Sequence, residues 1–99
     1  MINQHLDLPL DKIREFCEKY PIRKLSLFGS VLHDDFNDES DVDVLVEFEA
    51  DHTPDLFLFV EMQDELSQLL GREVDLNTAG FLSRHFRDKV VNAAQVIYG

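Results

Sequence analysis

Leu25-Ser26-Leu27-Phe28-Gly29-Ser30 and, after an intervening segment, Ser40-Asp41-Val42-Asp43-Val44-Leu45-Val46 decide how this chain is read. The first run is apolar and ends in Gly-Ser. The second opens with two carboxylates spaced by one residue. In a strand, residues i and i+2 share a face. Asp41 and Asp43 should therefore project together, with Cα atoms roughly 6.5–7 Å apart. Val42, Val44, Val46 and Phe48 take the opposite face, which suits a core. Two acids on one face repel unless a cation sits between them, and hard divalent cations take oxygen ligands.

Working outward, Pro9 suits the first turn of a helix. Leu10, Ile13, Phe16, Cys17 and Tyr20 follow at helical spacing, and Pro21 stops the run. A strand is expected over residues 23–28, with Leu25 and Leu27 toward the core and Ser26 and Phe28 on the other face. Gly29-Ser30 ends it and opens a short helix over 30–35. Free N–H groups there, with the Ser30 hydroxyl, would form an anion site. Residues 34–40 are acidic and turn-rich. As a calcium loop from Asp35, that register would place Ser40 where glycine is needed and Val46 where a bidentate Glu is needed, so it reads as a solvated loop.

The second strand is expected over 41–48 and a loop over 49–54. A long helix should run from Asp55 to Leu70, capped by Gly71. Its buried stripe reads Leu56, Phe59, Val60, Gln63, Leu66, Leu69 and Leu70; Phe57 and Leu58 are either further core or a partner surface, and core is preferred. A third strand is expected over 73–77, with Val74 and Leu76 inward and Asp75 on the face of the other acids. Phe81 to Ala94 reads as the last helix, with Leu82, Phe86, Val90 and Ala93 or Ala94 inward. Val96-Ile97-Tyr98 is a short apolar tail or final strand.

The chain has 99 residues, which suits one domain over 1–99. Its net charge is −11, from twenty acids against nine bases. Neutralising nucleic-acid phosphates requires clustered Lys and Arg, so no nucleic-acid role is expected. The acidity suits a basic protein partner or a metal-carried substrate. Cys17 is the single cysteine, so an intrachain disulfide is excluded, and on the apolar side of a helix it reads as an inert thiol. The N-terminus lacks a basic region followed by an apolar run, and no run approaches a membrane span, so the expected location is cytoplasmic.

The Gly-Ser turn, the Ser-Asp-x-Asp that follows, and the later Val74-Asp75-Leu76 resemble the signature of the DNA polymerase β-like nucleotidyltransferase superfamily. They look most like its minimal branch, the MNT proteins paired with HEPN-domain toxins. The resemblance covers nearly the whole chain. It implies an α/β (α+β) fold: a small mixed sheet of three or four strands with helices packed mainly on one face. It also implies metal-dependent transfer of AMP from ATP to a tyrosine hydroxyl of a HEPN ribonuclease. Asp41, Asp43 and Asp75 would be the catalytic and metal-binding acids, with two Mg2+ ions. Gly29, Ser30, Ser40 and His33 would bind the nucleotide. The chain departs from the pattern at His33 and Asp34, where many relatives carry Arg-Gly. Two other readings follow: an antitoxin that acts by binding alone, and AMP transfer to a small molecule, which a single small domain suits poorly.

Overall fold

The computed structural model describes residues 8–32, 40–78, 80 and 84–99, and the side chains of all of these except 84–86. In chain order the elements are α1 (Leu10–Lys19), β1 (Ile22–Phe28), a 3₁₀ turn (Gly29–Leu32), β2 (Val42–Phe48), α2 (Leu56–Leu70), β3 (Val74–Asn77), α3 (Arg84–Ala93) and β4 (Gln95–Tyr98). The sheet order is β3-β2-β1-β4. β1 is antiparallel to both β2 and β4, while β2 and β3 run parallel, joined by α2 as the crossover. The apolar tail is thus the fourth strand.

Strand alternation divides the sheet into two faces. Leu25 and Leu27 of β1, Val42, Val44 and Val46 of β2, and Val74 and Leu76 of β3 pack with Ile13, Phe16 and Cys17 of α1 and Met62, Leu66 and Leu70 of α2. On the other face Phe28 and Leu45 meet Val90 of α3, with Ala94 against them. Two helices therefore cover one face and the third crosses the other. Leu82 and Phe86, expected inward, lie outside the residues whose side chains are described.

Helix α2 is fixed at both ends and along its side. Asp55 Oδ1 accepts the Leu58 N–H at 2.8 Å, an N-cap. Gly71 closes the helix in the left-handed conformation, φ 67°. The buried line departs from the expected stripe. Met62, Leu66 and Leu70 are its centre, flanked by Phe59 and Leu69, while Leu56, Phe57 and Val60 are exposed at 72, 87 and 47%. At about 100° per residue, Val60 stands roughly 160° round the helix from Met62 and cannot share its face. Phe57 therefore lies outside the core, and Leu58 packs only against its edge. Leu10 of α1, also expected inward, is 57% exposed.

Gln63 has a different task from filling the core. Its Oε1 accepts the Leu76 N–H at 3.0 Å, and Ser67 Oγ accepts the Val74 N–H at 3.0 Å. These two α2 side chains satisfy the edge of β3 that β2 leaves open, and so hold the register of that strand. Arg72, just past the helix, donates to the Ser40 carbonyl at 2.8 Å and ties the approach to β2 to the approach to β3. Among the described residues no helix is long and apolar enough to cross a membrane.

Candidate active site

Parallel pairing of β2 with β3 sets Asp43 opposite Asp75, and antiparallel pairing of β1 with β2 sets Phe28 opposite Asp43. Val42, Val44, Val74 and Leu76 are all buried in the core face, so both acids must emerge on the other face. Asp43 is half-buried, and Asp75 and Asp41 are exposed. Asp41 stands just before β2, one residue outside the ladder.

Gly29 follows β1 directly and has φ 75°. A Cβ at this position would collide with the Asp43 carboxylate and lie 3.2 Å from its Cγ. The glycine therefore lets the Asp43 side chain lie against the β1–turn backbone. The turn itself is a 3₁₀ segment over Gly29–Leu32; a short helix over 30–35 was expected, and residues 33–35 lie outside the described residues.

A cleft of about 580 Å³ opens here, lined by Phe28, Gly29, Asp43, Asp75, Asn77, Lys89, Val90 and Ala93. It unites three of the residues read from sequence: Gly29, Asp43 and Asp75. Asp41 flanks it electrostatically, whereas Ser30 and Ser40 are half-buried and do not line it. His33 lies outside the described residues. Asn77 was readable as the i+2 neighbour of Asp75 on one strand face. Phe28 was readable as the strand residue opposite the core. Lys89, Val90 and Ala93 enter only because α3 packs across this face, which no local pattern announces.

The electrostatics are those of crowded acid. Burial pushes the Asp43 carboxyl above the usual carboxylate range, and the charges of Asp75 and Asp41 push it further. As placed, no three His, Cys, Asp or Glu side chains among the described residues converge closely enough to ligate an ion. The coupling of Asp43 to both other acids nevertheless marks one negative region that a hard cation would relieve. This all-oxygen donor set fits magnesium, which takes one or two carboxylates and completes its shell with water and substrate phosphates. Cys17 takes no part: burial, aided by Glu18, pushes its thiol up to about 12.

A parallel strand pair carrying matched acids, beside an antiparallel strand that ends in Gly-Ser, is the arrangement of a minimal polymerase β-like nucleotidyltransferase. The profile of the nucleotidyltransferase domain matches residues 10–97, and the chain belongs to that family.

A chain from Methanocaldococcus jannaschii, described as a candidate protein adenylyltransferase, is 39% identical over 74 residues, covering 75% of this chain and 74% of its own. The protein adenylyltransferase MntA of Thermococcus cleftensis is 40% identical over 63 residues, covering 64% of this chain but only 62% of its own length. A crystal structure of a toxin–antitoxin with AMP-PNP superposes with a TM-score of 0.75 at 26% identity, over 93% of this chain and 74% of that one. An MNT antitoxin in complex with the tri-AMPylated HEPN toxin of Shewanella oneidensis superposes at 0.65 and 26% identity, over 91% of this chain and 69% of that one.

Proposed function

We propose that this chain is the antitoxin of a HEPN-domain ribonuclease, and that it blocks its partner by moving AMP from ATP onto a tyrosine hydroxyl. The observation that carries the reading is the in-register Asp43–Asp75 pair with Gly29 backed against Asp43. The names of the relatives support the choice of nucleotide and partner. In the reaction, the acceptor oxygen bonds to the α-phosphorus, the bond to pyrophosphate breaks, and the hydroxyl proton must leave.

Asp41, Asp43 and Asp75 would hold magnesium, which supplies charge neutralisation and phosphoryl polarisation when bound. Asp75, exposed on β3, would take the acceptor's proton. Asp43, half-buried and fixed between Phe28, Gly29 and Asp75, has the least freedom of the three and sets the position of the reacting phosphate. Phe28, Val90 and Ala93 give the cleft an apolar side.

Incubating the chain with its partner, ATP and magnesium, followed by intact-mass analysis of the partner, tests the reading. Addition of AMP is expected from wild type and should be absent from Asp43→Asn and Asp75→Asn. A second reading, neutralisation by contact alone, draws on the exposed Leu56 and Phe57. It would replace the first if both variants protect cells from the toxin as well as wild type does.

A further inference from the structure

Lys89 stands on α3 in the cleft that holds Asp43 and Asp75, one residue from Val90 and four from Ala93, which line it too. Residues four apart share a helix face, so this side of α3 looks across the cleft at the acids. Lys89 is exposed, and among the described residues no carboxylate lies within ion-pair distance of it. Burial first, and then the like charges of Asp75 and Asp41, raise the Asp43 carboxyl. The lysine charge is therefore not consumed by the acid cluster. A cation near a negative cluster but unpaired with it is free for a third party that is itself anionic.

We propose that Lys89 is a phosphate anchor: it binds the phosphates of the nucleotide from the α3 side of the cleft, opposite the carboxylates. This rests on the reading that the cleft takes a nucleoside triphosphate. The ligand class follows from the lining. The apolar side of Phe28, Val90 and Ala93 accepts an uncharged ring, while the Asp43–Asp75 side repels any anion not neutralised from elsewhere. An ammonium on a flexible stem can follow a phosphate as it moves, and it contributes charge wherever the phosphate settles. Lys89 is thus a binding and positioning residue, and the chemistry stays with the acids.

The test is a charge series on the full chain, with ATP affinity measured by calorimetry in excess magnesium. A charge-assisted hydrogen bond to phosphate corresponds to on the order of a tenfold change in Kd. Lys89→Arg should bind ATP as wild type does, Lys89→Met about tenfold more weakly, and Lys89→Glu more weakly still. Because Lys89 is exposed, all three should melt with wild type. The KM for ATP should rise in the same order, with kcat little changed. A flat series, or Lys89→Arg as weak as Lys89→Met, would overturn the assignment. If wild type itself fails to bind ATP, the nucleotidyl-transfer reading falls first and the phosphate anchor falls with it.

Discussion

Two glycines of this chain share a left-handed backbone but differ in what surrounds them, and the pair isolates the role of Gly29. Gly71 has φ 67° with nothing within 4 Å of a built Cβ. Gly29 has φ 75°, and its Cβ would collide with the Asp43 carboxylate. Gly71→Ala therefore carries the backbone cost alone, roughly 1–2 kcal/mol for an L-residue held left-handed. Gly29→Ala carries the same cost and also forces Asp43 to turn aside, adding roughly 0.5–1.5 kcal/mol for an off-rotamer side chain. At about 4–8 °C per kcal/mol for a domain this size, Gly71→Ala should lower Tm by about 5–15 °C and Gly29→Ala by several degrees more. The larger contrast is expected in activity. Misplacing a reacting group by about 1 Å costs on the order of 10²-fold, so Gly29→Ala should lose AMP transfer by that factor while Gly71→Ala keeps it. Both assays are run well below the melting temperatures of the two variants. If Gly29→Ala retains wild-type transfer, or the two variants fall equally in stability and activity, the contact between Gly29 and Asp43 does not set the site.

Three further outcomes are expected. In EDTA, thermal melts of wild type should show stability falling as pH rises from the unfolded carboxylate range, near 4, through the raised pKa of Asp43, because the folded state holds that proton longer. Asp43→Asn should lack this slope and melt above wild type at neutral pH, and an unchanged slope would mean that neither burial nor the other acids raise the Asp43 carboxyl. Met62, fully buried, should cost about 2–5 kcal/mol on truncation to Ala, whereas Phe57→Ser at an 87% exposed position should stay within about 0.5 kcal/mol, both read from urea midpoints. Cys17 should resist a thiol reagent in native buffer and react on denaturation, since burial and its pKa of about 12 keep the thiolate scarce; rapid native labelling would refute this.

The site acids were legible because a period of two leaves no freedom. Once Val42, Val44, Val74 and Leu76 go inward, Asp43 and Asp75 must come out on the opposite face. Their alignment across β2 and β3 was not legible, since register depends on α2 as crossover and on the bonds from Gln63 and Ser67 to β3. The stripe on α2 is ambiguous in sequence because six apolar residues crowd its first seven positions, Leu56–Met62 with Glu61 between, and hydrophobicity alone cannot say which side the sheet occupies. Met62, not Val60, lies in line with Leu66 and Leu70 and is the buried residue of that turn. Glycine at position 29 was legible as a special turn, but its reason was not. The expected reason was a ligand's approach to the backbone, and the structure shows a carboxylate of the chain itself in that space. Lys89 gave no local signal, because its meaning depends on which face of the sheet α3 crosses.

The strand order has a further consequence, for the order of assembly. β1 gains its first neighbour from β2 across a short stretch of chain, but its second, β4, only after both later helices and β3 have been made. Until then β1 is an edge strand, with Leu25 and Leu27 already suited to burial and one row of peptide groups unpaired. Contacts of such long sequence separation form slowly. Sequence separation alone would put the docking of Gln95–Tyr98 along β1 late in folding, and an edge left open until then is a site where a second chain can add. During that interval a second copy of the chain is the nearest available strand, and the four residues of β4 close the edge.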